Sequence, residues 1–228
     1  MPNREPLSTL ERRVLGVLIE KQKTSKTADA YPMTLNSLTT GCNQKSNRDP
    51  VLELSDDDVE ETLTALQKKN LVMKMTGGRA DRYRHLLYEA WSASKIEMAI
   101  LAELLLRGPQ SVGDLRGRAS RMEEITSLDL LQGYLKDLVE RKLVVFLTDP
   151  DRRGAMVTHG FHVSEEMPAI QAFVAGFHSP IATPSVHAPM ASAPPASPAL
   201  AAEVQQLREE IAELRAQFQD LRKQLGLS

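Results

Sequence analysis

The chain has 228 residues, 42% hydrophobic and 25% charged, the composition of an ordinary globular protein. Its 28 basic and 30 acidic residues leave a net charge of −2, so no overall basic field draws it to nucleic acid. A single cysteine, Cys42, excludes a disulfide framework and a cysteine-rich zinc site, and 4% aromatics argue against a stacking platform for single strands. The N-terminal MPNREPLSTL lacks the apolar core of a signal peptide, and no apolar run reaches about 18 residues, so a cytoplasmic, membrane-free chain is expected.

The first predicted helix is LERRVLGVLIEK, with Leu10, Val14, Leu15, Leu18 and Ile19 on one stripe. A short helix with Leu35 and Leu38 follows, then the polar loop GCNQKSNRDP. A longer helix carries Val59, Leu63 and Leu66, and LVMKMTGGRADRYRHL reads as a hairpin around a glycine-marked turn. The order then recurs. Ile96, Ile100, Leu101, Leu104 and Leu105 answer the first stripe at an offset of 86, and Val112 and Leu115 answer the short helix at 77. Leu131, Leu135, Leu138, Leu143 and Val144 answer Val59, Leu63, Leu66, Leu71 and Val72 at 72, and LVVFLTDPDRRGAMVTH supplies a second hairpin. The falling offsets place about 14 extra residues in the connections of the first copy, where chain length is tolerated. Ser8–Glu11, Ser55–Asp58, Ser94–Glu97, Ser111–Asp114 and Thr126–Asp129 each set a hydroxyl three residues before a carboxylate, the pattern that satisfies the free N–H groups of a first helical turn.

The predicted fold is therefore mainly α with small β-hairpin wings. Two tandem winged-helix domains occupy residues 1–90 and 91–165. An extended Ala/Pro-rich linker is read over 166–202. Its composition is most extreme from Ser179 to Ala202, where 24 residues hold eight Ala, six Pro and no charge. Residues 203–228 read as a coiled-coil tail. Val204, Leu207, Ile211, Leu214, Phe218, Leu221 and Leu225 keep a strict 3–4 spacing, and branched residues at the first a positions with Leu at every d favour two strands. Glu203 and Glu210 would face Arg208 and Arg215 of a parallel partner, whereas an antiparallel pairing sets like charges together.

LERRVLGVLIEKQ, YPMTLNSLTTGCNQKSNRDP and LSDDDVEETLTALQKKNLV resemble the YceH-like family of bacterial proteins, over about Leu7 to Phe161. The resemblance implies tandem winged-helix domains and brings no enzymatic activity, cofactor or ligand with it. One departure is Asn70, which stands where a glycine commonly ends this helix; Asn also tolerates the left-handed conformation.

No phosphate-cradling loop, dinucleotide fingerprint or HExxH motif is present. His159 and His162 lack the further ligands of a closed metal site, so no metal and no cofactor are expected. The run Asp56, Asp57, Asp58, Glu60, Glu61 opens a helix, where acids favour the positive end of the dipole. Those acids also stand where a recognition helix would meet bases, so DNA contacts must come from elsewhere. Lys45 and Arg48 in the polar loop form one basic patch. Lys74, Arg79, Arg82 and Arg84 in the first hairpin form a second. Arg116, Arg118 and Arg121 on a short helix, with Arg152 and Arg153 at the second hairpin's tip, form a third. The expected function is DNA binding or regulation on double-stranded DNA without enzymatic activity. The alternative is a protein-interaction scaffold with an unidentified partner, which near-zero net charge also suits.

The seam generates the first test. Leu214→Asp places a charge in the core of the predicted parallel homodimer, so light scattering on the full chain should show monomers with both winged-helix domains still folded. A surviving dimer would contradict the heptad reading.

Overall fold

The structure is a computed structural model that describes residues 5–177; the residues beyond 177, with the predicted seam from Val204 to Leu225, lie outside the described region. Within it the chain is mainly helical, with two small antiparallel three-stranded sheets. The first half runs α1 (Thr9–Thr24), β1 (Met33–Thr34), α2 (Leu35–Cys42), α3 (Asp56–Lys68), β2 (Val72–Met75) and β3 (Arg82–His85). A short helix α4 (Leu87–Trp91) leads into the second half. That half repeats the order with α5 (Lys95–Arg107), β4 (Gln110–Ser111), α6 (Val112–Ala119), α7 (Leu128–Glu140), β5 (Val144–Phe146) and β6 (Met156–His159). The sheets share one strand order, β1-β3-β2 and β4-β6-β5.

β1 and β4 were not expected from the sequence, because two residues cannot display an alternation. Each does two jobs. Thr34 and Ser111 end these strands and also cap the following helix, accepting from the backbone N–H of Ser37 and Asp114. The expected capping boxes form at Ser8–Glu11, Ser55–Asp58 and Ser94–Glu97. At α7 the expectation is off by one residue: Ser127, not Thr126, is the cap, and it accepts from Leu130 N–H. Residues assigned to the extended linker also prove to be helical, since Met167–Phe177 form α8. Its apolar sequence MPAIQAFVAGF buries Val174, and Pro168 sits in the first turn, where its missing N–H breaks no helical bond.

The repeat extends to details that periodicity does not carry. After α3 the chain turns at Asn70 (φ 57°), and after α7 it turns at Lys142 (φ 56°). Leu71 N–H reaches Leu66 O and Leu143 N–H reaches Leu138 O, both at hydrogen-bond distance, with shorter-span bonds from Asn70 to Gln67 and Lys142 to Val139. These are paired Schellman caps with non-glycine residues in the left-handed position. The capping-box acids are reused in the same way. Glu11 pairs with Lys69 at 2.7 Å, and Glu97 pairs with Arg141, the equivalent position 72 residues later.

α1 and α5 cross at the centre of one continuous apolar cluster drawn from both halves. Glu11–Glu20 of α1 and Glu97–Leu106 of α5 are buried on every side. Gly16 permits the crossing: a Cβ there would lie 2.8 Å from Cγ and Cδ2 of Leu106. The position 86 residues on is Ala102, also small and fully buried. Replacing Gly16 with Val gains less than about 1 kcal/mol of helix propensity, whereas overpacking costs about 1–3 kcal/mol. Urea unfolding of Gly16→Val should therefore show a clear loss of stability. An unchanged midpoint would contradict the close crossing.

Candidate nucleic-acid interface

The β2–β3 hairpin alternates. Val72 pairs with His85 and Lys74 with Tyr83 on one face, while Met73 pairs with Arg84 and Met75 with Arg82 on the other. Val72, Tyr83 and His85 are buried, so Met73, Met75 and Arg84 stand on the exposed face. Gly77 (φ 106°) lets the tip turn without a side chain in the way. Arg79 is exposed at this tip, and Arg152 and Arg153 are exposed at the tip of the β5–β6 hairpin. None of these three, nor Arg84, meets a carboxylate among the described residues; Arg84 touches only Met73 Sδ at 3.5 Å.

Apart from Lys45, the other predicted basic residues have partners. Lys74 pairs with Asp81 at 2.7 Å and lies over the Tyr83 ring; the bond to Asp81 raises its pKa. Arg82 donates to the carbonyls of Asp29 and Pro32, both at 2.7 Å, and so ties the long α1–β1 connection to the sheet. Lys45 is exposed. Arg116 leans on the carbonyls of Ile125 and Thr126, and Arg118 donates to Gln110 Oε1.

Arg48 lies in the interior at 5% exposure, and this removes it from any phosphate. Its guanidinium holds Glu20 at 2.5 Å and donates to Gly41 O, while Arg121 bridges Glu20 at 2.5 Å and Glu103 at 3.0 Å. Arg107 completes the chain on Glu103 at 2.8 Å and on Asn47 Oδ1. Burial would raise the Glu20 pKa, but its two arginines hold it below the usual carboxylate range. This network joins α1, α5, the end of α6 and the loop before α3. Arg48 and Arg121 were read from sequence as surface contacts; Arg48 is instead buried, while Arg121 stays exposed and pairs with the same two buried carboxylates.

The acidic start of α3 is exposed. Asp58 closes the capping box, and its bonds to Ser55 lower its pKa, while Asp56 accepts from Thr39 Oγ1 at 2.5 Å. α7 opens differently, with Leu128 and Leu130 at 47% and 38% exposure, and Val145 of the second sheet is also exposed, at 37%. Sequence reading did not single out these residues. Cys42 is buried, which pushes its thiol up to about 12 and removes it as a nucleophile. No helix among the described residues is long and apolar enough to cross a membrane, and no group of three or more metal-ligating side chains gathers there.

Residues 7–154 match the model of a family described as "Protein of unknown function, DUF480". The chain belongs to this family. It is similar to a UPF0502 protein of Geobacter sulfurreducens, 44% identical over 167 residues, covering 73% of this chain and 75% of the relative. A UPF0502 protein of Rhodopirellula baltica is 44% identical over 163 residues, covering 71% and 68%. One from Leptothrix cholodnii is 35% identical over 223 residues and covers 97% and 96%. The resemblance read from the sequence is thus to the right family, and the DUF480 match spans the first hairpin and the buried ion network.

Two histidines of this DUF480 chain mark equivalent strand ends. His85 and His159 close β3 and β6, and each accepts a backbone N–H two residues on at Nδ1, from Leu87 and Phe161, at 3.3 Å. The intervening offset, 74 rather than 72, hid the match. Burial lowers the His85 pKa from 6.5 to about 4 and also lowers that of His159. A neutral folded state and a protonated unfolded state make stability full above pH 6.5 and lost as pH falls toward 4. The loss from His85 approaches about 3 kcal/mol at the acid end. Chemical unfolding across this window should show the decline, and His85→Asn should reduce it, leaving the contribution of His159. A stability independent of pH between these limits would contradict the neutral assignment.

Proposed function

We propose that the chain is a tandem winged-helix protein that binds double-stranded DNA as a regulatory, non-enzymatic factor of the cytoplasm, dimerised in parallel by its C-terminal heptads. The order helix, strand, helix, helix, strand, strand in both halves supports the winged-helix reading, with α3 and α7 in the recognition position and the β2–β3 and β5–β6 hairpins as wings. The observation that carries the DNA reading is the set of exposed arginines without carboxylate partners at the two hairpins: Arg79 and Arg84 on the first, Arg152 and Arg153 on the second. Guanidiniums in such a place neutralise phosphates and release counterions. The first wing is the stronger, because Asp149 and Asp151 offset the charge beside Arg152 and Arg153. With Asp56, Asp57 and Asp58 at its start, α3 contributes repulsion rather than contact.

The alternative, a scaffold that docks another protein, is supported by one feature: the exposed Leu128, Leu130 and Val145 of the second half. Salt separates the two readings. Each phosphate contact contributes about 0.9 to the slope of log affinity against log salt, so Arg79→Ala with Arg84→Ala should flatten that slope by about 1.8. Arg82→Ala should act mainly on local stability, because it releases the connection that Arg82 holds. Asp57→Ala should strengthen non-specific binding without disturbing the Ser55–Asp58 cap. Fluorescence polarisation with generic duplex at two salt concentrations reads all three. A wild-type chain with no salt-dependent binding would shift the assignment to the scaffold.

A further inference from the structure

Methionine is ordinarily an interior residue, and Met33, Met98, Met122 and Met156 are buried here, at 7% exposure or less. Met73 and Met75 are not. They stand at 40% and 45% exposure, two residues apart on the outer face of β2, so both thioethers project from one side of the first hairpin. The second half shows what these positions otherwise carry. Val145 and Leu147 lie 72 residues on from Met73 and Met75, and Val145 pairs with Thr158 where Met73 pairs with Arg84. Aliphatic side chains therefore satisfy the strand, and it is the first half that sets sulfur there with a guanidinium opposite.

Arg84 Nη2 donates to Met73 Sδ at 3.5 Å and meets no carboxylate among the described residues. Arg82, which pairs across from Met75, turns its guanidinium instead to the carbonyls of Asp29 and Pro32. The two thioethers are thus alike in exposure and differ in whether a guanidinium touches the sulfur. Hydroperoxides oxidise an accessible thioether to the sulfoxide. Cys42 does not compete for the oxidant, because it is buried and its thiol is pushed up to about 12. A sulfur lone pair attacks one oxygen of hydrogen peroxide, the O–O bond breaks, and the proton of the transferred oxygen passes to the departing hydroxide to give water. Sulfur loses two electrons and the peroxide gains them. The new oxygen is a far better acceptor than the thioether sulfur, and it forms beside an N–H that already points at that sulfur.

We propose that Met73 is a hydroperoxide-modified site whose sulfoxide captures the guanidinium of Arg84. Met75 is oxidised beside it without that consequence. The effect on nucleic acid rests on the DNA-binding reading, since an Arg84 held on the hairpin face is withdrawn from phosphate; the capture itself does not rest on it. Treating the full chain with graded hydrogen peroxide and mapping its peptides by mass spectrometry tests the site. Met73 and Met75 should oxidise on the order of tenfold faster than Met33, Met98, Met122 and Met156. Phenylglyoxal labelling of the arginines then reads the capture. Oxidation should lower Arg84 labelling by on the order of threefold and leave Arg79 unchanged, because a charge-assisted bond now occupies Arg84. Met73→Leu should keep Arg84 labelling constant through oxidation, whereas Met75→Leu should behave as the wild type; circular dichroism checks that both are folded. With generic duplex, oxidation should flatten the salt slope by about 0.9, one phosphate contact. A chain that binds no duplex defeats the DNA reading alone, and the labelling still decides the capture. Met73 oxidising no faster than the buried methionines, Arg84 labelling unchanged by oxidation, or labelling lost equally in Met73→Leu would each overturn the proposal.

Discussion

The crossing of α1 over α5 at Gly16 is the constraint from which most of the structure follows. With no side chain at residue 16, Leu106 packs against the helix itself, and the two helices sink into each other until neither retains a solvent face. A helix buried all round must bury its charges as well. Glu11, Arg12, Arg13 and Glu20 are consequently interior groups, and three of the four are held by ion pairs. Each partner comes from a different element, so satisfying α1 also places the end of α3, the loop before it, the end of α6 and the segment leading into α8.

This accounting explains what the extra residues of the first copy do. About nine lie between α1 and α2 and about five between α2 and α3, as the offsets 86, 77 and 72 require. The first insertion is tied to the sheet by Arg82. The second delivers Arg48 to Glu20, Asn47 to Arg107 and Pro50 O to Arg13, and Asn43 pins Leu54 by a pair of 2.8 Å bonds. The first loop is therefore fastened to its own sheet and the second to the junction of the two halves. The arginines divide accordingly into those that hold buried carboxylates or backbone carbonyls and those at the hairpins that meet no carboxylate among the described residues.

Local signals were the legible part. Apolar stripes, hydroxyl–acid caps and the 72-residue offset gave the long helices and both hairpins in order, because each depends on residues within a turn or two. Sequence reading failed where the deciding contact is distant. The pairing of Arg48 and Arg121 was not legible because Glu20 and Glu103, which hold them, are at least 18 residues away in the chain. Thr126 and Ser127 are adjacent hydroxyls, and only the backbone geometry selects the second as the cap. α8 was missed because proline and alanine beside the low-complexity stretch masked a short apolar helix.

If α1 and α5 join the two halves into one cooperative body, their backbone amides should exchange hydrogen only when the whole of it unfolds. Native-state hydrogen exchange on the full chain, followed as denaturant is raised, measures this directly. The account predicts one shared free energy of opening for amides in Val14–Ile19 and in Ile100–Leu105, equal to that of global unfolding. Two separate values, with one helix exchanging while the other stays protected, would contradict it.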